Sequence, residues 1–253
     1  MFTRFILDFK TNQFEELSKS TRLENITAGR QGAILVDCKD NLVPLVRTTT
    51  IYNKPAQKFL PIHYHIIENI KNTSKYQDLE FNNALIEIYN SDYRKMGYHS
   101  DQALDLANNS YICLFSCYDN PFTTAKRKLV IREKETVNCS EIILTHNSIV
   151  LFSVSTNSKW LHKIVLDDNK TKSVDGQWLG VTFRLSKTFI KFVNDVPYFY
   201  PDCTTVLKLA NTDQKKEFSK CKRLENAGVG YTYPEIHYSI SASDLLPIVE
   251  EKS

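Results

Sequence analysis

The chain has 253 residues, of which 42% are hydrophobic and 24% are charged. This composition is typical of a folded globular protein and excludes disordered, collagen-like and membrane-spanning classes. Lys and Arg exceed Asp and Glu by 32 to 29, and the net charge of +3 permits nucleic-acid binding without indicating it. Charges interrupt the opening MFTRFILDFK too early for a secretory signal, so we expect an intracellular protein, cytoplasmic or nuclear, with no membrane partner.

Helix and strand patterns alternate in residues 1–81. The amphipathic segment TNQFEELSKS predicts a short helix with Thr11 as its N-cap. Apolar and β-branched residues at 33–37 and 43–52 predict two strands. Pro55 then opens a predicted second helix, in which apolar residues recur at helical spacing.

From residue 82 the chain consists of short strand-like runs separated by turn residues. These runs are ALIEIY, YICLFSCY, KLVIRE, SEIILTH, SIVLFSV, HKIVLD and WLGVTFRLSKTFIKFV. Such a series predicts a β-sandwich or barrel. The charged segment DQKKEFSKCKRLEN predicts a helix near the end of the chain. We expect the six cysteines to be reduced thiols rather than a disulfide framework.

His99 and Asp101 are separated by one residue in the segment YHSD. On an extended strand their side chains share a face and lie close enough to bind one metal ion. His162, in the later run WLHKIVLD, is the natural third ligand, because two histidines and one carboxylate leave open positions on Fe(II). Downstream, Arg184 has the planar guanidinium that grips carboxylates. We expect the other histidines, His146 included, to be structural or exposed.

These segments resemble the AlkB-like branch of the Fe(II)/2-oxoglutarate-dependent dioxygenases. The resemblance covers residues 43–193, through ALIEIYNSDYRKMGYHSDQAL, THNSIVLFSVSTNSKWLHKI and RLSKTFIKF. It implies an α+β, mainly β fold with a double-stranded β-helix, or jelly roll, at 82–193. An N-terminal α/β and lid section at 1–81 and a short helical C-terminal extension at 194–253 complete a single dioxygenase domain. The lid region contains Thr48, Thr49, Thr50 and Tyr52, which are equally compatible with an ordinary strand.

Carried over residue by residue, the resemblance makes His99, Asp101 and His162 the iron ligands. Arg184 would bind the distal carboxylate of 2-oxoglutarate, with Tyr89 as a hydrogen-bond partner of that carboxylate. 2-Oxoglutarate and O2 would be cosubstrates, and succinate and CO2 products, in the oxidative demethylation of methylated DNA or RNA. Two alternatives remain open: the same chemistry on a protein, lipid or small molecule, and a catalytically degenerate binding or scaffold protein.

The cosubstrate residues depart from the family pattern at two positions. Glu87 stands where the family has Asn, and its charge would repel the cosubstrate unless a cation pairs with it or it turns away. Ile190 stands where one alignment places the last arginine of the family. In a shifted alignment Arg184 is that last arginine and Trp178 replaces the first. Either way one arginine remains, and the second anchor is missing or comes from elsewhere.

A third departure affects the substrate. Gln102 and Ala103 stand where demethylating members often have an acidic residue that recognises the methylated base. A buried cationic base without a carboxylate is costly, so we expect a neutral methylated base to be the better substrate. Asp105 is the nearby carboxylate that would reverse this expectation. The run 126–128, Lys-Arg-Lys, is a candidate basic strip for nucleic acid, with a solvated turn as the alternative.

Overall fold

The period-two alternation of apolar residues makes this chain mainly β. The computed structural model describes residues 1–94, 96–122, 126–136, 138–167 and 176–248. Its strands are β1 (Thr3–Ile6), β2 (Glu24–Thr27), β3 (Arg30–Val36), β4 (Leu42–Leu45), β5 (Gln57–Lys58), β6 (Asn83–Tyr89), β7 (Tyr111–Tyr118), β8 (Arg127–Glu133), β9 (Cys139–Leu144), β10 (Ser148–Ser153), β11 (Trp160–Leu166), β12 (Trp178–Arg184), β13 (Thr188–Val193), β14 (Val196–Tyr200), β15 (Lys208–Leu209) and β16 (Tyr238–Ser239). Its helices are α1 (Gln13–Ser20), α2 (Pro61–Ser74), α3 (Val154–Lys159), α4 (Thr212–Ala227) and a 3-10 turn at Ala242–Leu245.

A large sheet and a smaller sheet face each other. The large sheet follows the order β1-β10-β7-β12-β6-β3-β2 and is antiparallel, with β5 added in parallel to β3. The smaller antiparallel sheet has the order β11-β8-β9. A third sheet, β14-β13-β4, and the short parallel pair β15-β16 lie outside these two. The N-terminal strands β1, β2 and β3 therefore belong to the same sheet as the strands after residue 82.

The two faces of the large sheet have different roles. Ile86, Phe115 and Val181 point to one face, where they pack with the apolar sides of α1 and α2. Leu114 and Val150 point to the other face, where they pack with side chains of the smaller sheet. Since successive strand residues alternate between faces, each strand contributes to both clusters. The second face, between the two sheets, is where a cavity opens.

Both N-terminal helices begin later than the sequence patterns predict. The N-cap of α1 is Asn12, whose side chain accepts a hydrogen bond from Phe14 N at 3.0 Å, so the prediction of Thr11 is wrong. Helix α2 begins at Pro61, and the prediction of a start at Pro55 is wrong because 57–58 forms β5. Proline is favoured at the first helical position, because an N–H group there has no acceptor within the helix and its absence costs no hydrogen bond.

Strand prediction fails most clearly at 43–52, where only Leu42–Leu45 is extended and paired. Beyond it Arg47 turns into the interior and forms a buried ion pair with Asp105, at 2.7 Å between Nη2 and Oδ1. Arg47 also donates to the carbonyl oxygens of Ile236 and Tyr238 at 2.6 and 3.2 Å. A buried charge needs such partners, and this arginine ties three distant segments together.

The C-terminal helix agrees with its prediction. Helix α4 is capped by Asn211, whose side chain accepts from the backbone N–H groups of Asp213 and Gln214. The long run from residue 178 divides into β12 and β13, which join different sheets. Within the described ranges, no helix has the length and apolar character needed to cross a membrane.

Candidate metal and cosubstrate site

Backbone pairing brings the predicted metal ligands together. His99 N donates to His162 O at 3.0 Å, and His162 N donates to His99 O at 2.7 Å. His162 lies on β11, as expected, but His99 forms only an isolated bridge and Asp101 lies in the loop that follows. The prediction that His99 and Asp101 share a regular strand is therefore wrong, although both reach the same point in space.

The three side chains form one compact group. One ligand atom from each of His99, Asp101 and His162 lies within 4.8 Å of the other two. Asp101 Oδ1 is 3.5 Å from His162 Nε2 and 4.0 Å from His99 Nε2. His99 Nδ1 lies 3.1 Å from Gly97 O, a position where a protonated Nδ1 donates and leaves Nε2 as an acceptor. This set of two imidazoles and one carboxylate suits a divalent transition metal.

The loop that carries Asp101 is held by a residue that sequence reasoning missed. Asp101 N donates to Asn157 Oδ1 at 2.9 Å, and Asn157 Nδ2 donates to Asp101 O at 2.7 Å. Asn157 is buried in α3, the short helix just before β11. No sequence pattern links an asparagine to a loop 56 residues away, so only the fold reveals this contact.

Electrostatics favour the charge states that bind a metal. Burial alone would raise the pKa of Asp101, but His162, Arg184 and His99 together hold it well below its usual range. Burial, and the proximity of His162, lower the pKa of His99 to about 3. Asp101 is therefore ionised and His99 neutral near pH 7, which are the forms that coordinate cations.

Arg184 ends β12 beside this group. Its Nη1 lies 3.6 Å from Asp101 Oδ2. Its Nε and Nη2 are buried and have no hydrogen-bond partner among the described residues, and the same holds for Asp101 Oδ2. Buried polar groups are rarely left unpaired, and an unsatisfied guanidinium is costly. The arrangement fits an anionic ligand at Arg184 and a cation at Asp101.

A cavity of about 530 Å³ extends from this group between the two sheets. Its wall includes Glu87, Tyr89, Thr182 and Arg184 from the large sheet, Leu129, His162 and Ile164 from the smaller sheet, residues 48–50 after β4, and Lys222 of α4. The lid threonines predicted from sequence thus face the cavity. Tyr52 is not part of the wall: it is buried, with its hydroxyl 3.4 Å from Glu87 Oε1.

Glu87 pairs with a cation, which is one of the two alternatives predicted from the sequence. Arg30, the first residue of β3, donates to Glu87 Oε1 through Nε at 2.8 Å and through Nη2. Tyr89 OH donates to Glu87 Oε2 at 2.6 Å. Glu87 is therefore neutralised by a partner 57 residues away. The Tyr89 hydroxyl, expected at the cosubstrate, here has Glu87 as its acceptor.

Trp178 and Ile190, the residues that distinguish the two alignments, pack in different places. Trp178 Nε1 donates to Ser116 Oγ at 3.2 Å, and its ring lies over Gly180, where an added Cβ would be 2.1 Å from a ring carbon. Ile190 is buried with Leu45 in a separate apolar cluster, outside the cavity. The geometry fits the shifted alignment, in which Arg184 ends the motif and an indole replaces the other arginine.

Asp105 and His146 lie away from the cavity wall. Asp105 forms an ion pair with Arg47 and lies outside the described cavity wall, so it does not supply a carboxylate to the cavity. His146 Nδ1 accepts from Tyr118 N at 3.1 Å, which agrees with the structural role expected for it.

The run 126–128 is not an unpaired basic strip. Lys126 donates to Pro121 O at 3.0 Å, and Arg127 is buried against backbone carbonyls. Lys128 pairs with Glu141 and Asp167. The prediction of a nucleic-acid strip at this run is therefore wrong, because each charge already has an internal partner.

Comparison with known proteins agrees with this site. The family model described as the 2OG-Fe(II) oxygenase superfamily matches residues 39–184, more than half of the chain. No curated protein matches the chain in sequence. Among 145 matching chains of solved structures, one titled "The structure of OsALKBH1" is 15% identical, with 62% of this chain and 78% of that chain covered and a TM-score of 0.42. The chain belongs to the 2OG-Fe(II) oxygenase superfamily, and it is a dioxygenase that depends on Fe(II) and 2-oxoglutarate.

Proposed function

We propose that this dioxygenase is AlkB-like and removes a methyl group from a methylated nucleic acid. The observation that carries the chemistry is the convergence of His99, Asp101, His162 and Arg184 in one cavity, with polar atoms of Asp101 and Arg184 left without partners. The AlkB-like branch is supported by the order and spacing of the motifs around these residues. We also propose that the two facing sheets are a double-stranded β-helix and that the three sections of the chain act as one domain.

In this proposal His99, Asp101 and His162 hold Fe(II). When bound, Fe(II) would supply the O2 chemistry in which one oxygen atom enters succinate as 2-oxoglutarate loses CO2, and the other enters a substrate C–H bond as a hydroxyl. On an N-methyl group the hydroxymethyl product would then leave as formaldehyde, and the demethylated nitrogen would keep the proton. The protein orients the ligands: Gly97 O directs the His99 ring, and Asn157 fixes the backbone of Asp101. Asp101 turns one oxygen to the histidines and the other to Arg184.

Arg184 is proposed to bind a carboxylate of 2-oxoglutarate. Its two unpartnered nitrogens, Nε and Nη2, can present the planar fork that a carboxylate accepts with both oxygens. The surroundings of Arg184 are dry, since only 2% of its surface is exposed. A charge-assisted contact gains strength where water is excluded.

The charges of the cavity favour a neutral substrate group. The described wall residues include three cations, Arg30, Arg184 and Lys222, and two carboxylates, Glu87 and Asp101. Glu87 is paired with Arg30, and Asp101 belongs to the metal group. A cationic base would therefore meet no free carboxylate in this wall, whereas a neutral methylated base would avoid that desolvation cost.

The nucleic-acid substrate is supported by a cationic surface at the cavity. Tyr98 contributes to the cavity wall, and Arg132 and Lys163 each lie 4.3 Å from the centroid of its ring. Within the described part of the chain, neither cation has an acidic partner. This Tyr98 patch, made of Tyr98, Arg132 and Lys163, offers two charges for phosphates.

The metal assignment predicts that His162→Ala removes iron while the fold persists. A metal site needs its third ligand, whereas the backbone bond between His162 and His99 survives the loss of the imidazole. Iron content after anaerobic loading measures the effect, and circular dichroism measures the fold. His146→Ala is the matched control and should load fully. Full iron in His162→Ala, with loss in His146→Ala, would show that the wrong histidine has been assigned.

For the cosubstrate, Arg184→Met should weaken 2-oxoglutarate binding by on the order of 100-fold. Arg184→Lys should recover only part of the affinity, because an ammonium does not copy the planar fork. Calorimetric titration of the Mn(II)-loaded protein measures both values. Unchanged affinity in Arg184→Met contradicts the assignment.

The substrate is tested with a panel of methylated DNA and RNA oligonucleotides, incubated with Fe(II), 2-oxoglutarate and O2. Mass spectrometry should find the loss of one methyl group from a neutral methylated base, with weak activity on cationic 1-methyladenine. Efficient demethylation of 1-methyladenine refutes the charge argument. Succinate formation without activity on any oligonucleotide favours a protein, lipid or small-molecule substrate. Absence of succinate favours a scaffold.

The Tyr98 patch predicts a specific salt dependence. Arg132→Ala and Lys163→Ala should each weaken oligonucleotide binding and reduce the slope of log K against log salt by about one. Lys128→Ala is the matched control, since Lys128 lies on the same strand and face as Arg132 but is already paired with Glu141 and Asp167 at 3.0 and 2.9 Å. Equal effects of all three substitutions would show that overall charge, not the patch, determines binding.

A further inference from the structure

2-Oxoglutarate carries two carboxylates, and Arg184 stands at one end of the cavity only. Its Nη1 is 3.6 Å from Asp101 Oδ2, so it lies beside the metal ligands. Lys222 lies between Asp101 and Arg30, because both contribute to its charge environment, and it donates to Thr49 Oγ1 at 2.6 Å. Of the two arginines described in the wall, Arg30 is the one that lies away from the metal ligands.

Arg30 lies further along the strands. It pairs in register with Tyr89, while Arg184 pairs with Asn83, six residues earlier on β6. Its side chain reaches back to Glu87, which is four residues from Asn83, or roughly 13 Å of strand. Glu87 and Arg184 both belong to the cavity wall, so the two positions line the same cavity.

Several contacts hold the Arg30 guanidinium in the wall. Glu87 Oε1 accepts from Nε and Nη2, Thr50 Oγ1 lies 3.3 Å from Nη2, and the Tyr93 ring centroid is 5.8 Å from Cζ. Glu87 is itself fixed by the Tyr89 hydroxyl at 2.6 Å. Since Glu87 uses Nε and Nη2, Nη1 is the nitrogen that this carboxylate leaves unengaged.

We infer that Arg30 binds the carboxylate of 2-oxoglutarate that lies farther from the metal, and that Glu87 is the positioning residue for Arg30. This inference rests on the proposed function. On β12, Trp178 stands where the shifted alignment places the second arginine of the family, and its ring fills the space over Gly180. The large sheet supplies the second positive charge from β3, through Arg30. Arg184 then binds the carboxylate nearer the metal. The negative charge of Glu87 offsets part of the positive charge of Arg30, so it weakens the attraction between Arg30 and the ligand.

The test compares two acids on the Mn(II)-loaded full chain. 2-Oxobutyrate has the oxo-acid end of 2-oxoglutarate but lacks the second carboxylate. Arg30→Met should weaken 2-oxoglutarate binding by on the order of 10- to 100-fold and leave 2-oxobutyrate binding unchanged. Arg184→Met should weaken binding of both acids. Arg4→Met is the matched control, since Arg4 lies on β1 of the large sheet and outside the described cavity wall, and it should change neither.

Glu87→Gln should change the affinity for 2-oxoglutarate in the direction opposite to Arg30→Met. The amide keeps an oxygen for Arg30 but removes the negative charge, so 2-oxoglutarate should bind several-fold more tightly while 2-oxobutyrate is unaffected. A purely structural role for Glu87 would change the affinity for both acids together. That outcome would overturn its assignment as a positioning residue.

Arg30→Met leaves Glu87 without its cation, and this variant can lose stability for that reason alone. The double variant Arg30→Met/Glu87→Gln removes both charges and should still show the selective loss of 2-oxoglutarate affinity. Wild-type affinity for 2-oxoglutarate in the double variant, or an equal loss for both acids, overturns the inference about Arg30 alone. Failure of the wild-type protein to bind either acid overturns the proposed function together with the inference.

Discussion

Two reciprocal backbone hydrogen bonds between His99 and His162 determine where the site forms. They fasten an irregular loop to the edge of β11 and bring the two imidazole rings to 4.6 Å between centroids. Asp101 follows two residues later, and Asn157 holds its backbone from the opposite side. The ligand positions therefore depend on main-chain contacts, which persist when a ligand side chain is changed. The proposed metal site is therefore pre-organised, because little would have to move when an ion enters.

Around His99, Asp101 and His162, buried carboxylates are paired with arginines. Asp105 is neutralised by Arg47 and Glu87 by Arg30, so neither carboxylate is exposed to a ligand alone. Arg184 differs, since its contact with Asp101 is longer and two of its nitrogens have no described acceptor. An unsatisfied buried cation raises the free energy of the unliganded protein, and a bound carboxylate relieves that cost. In the role proposed for Arg184, the same imbalance that destabilises the fold locally contributes to cosubstrate affinity.

Local sequence patterns predicted the strand-like runs and the C-terminal helix, and they singled out the three residues, His99, Asp101 and His162, whose side chains lie together. Period-two alternation and the H-x-D spacing are local signals, and they survive folding even though His99 and Asp101 are not on a regular strand. The failures involve long-range partners. Residues 46–52 have strong β propensity, but the buried pair between Arg47 and Asp105 directs them away from a sheet. The Arg30–Glu87 pair depends on the register between β3 and β6, which no single-strand pattern encodes.

Trp178 and Gly180 constrain each other through packing on the large sheet. The indole occupies the volume that any side chain at position 180 would need, with only 2.1 Å to an added Cβ. A side chain larger than glycine at position 180 would therefore require the indole to move, and a smaller residue at position 178 would remove that constraint. Packing thus couples the two positions, so the residue that one can accept depends on the residue at the other.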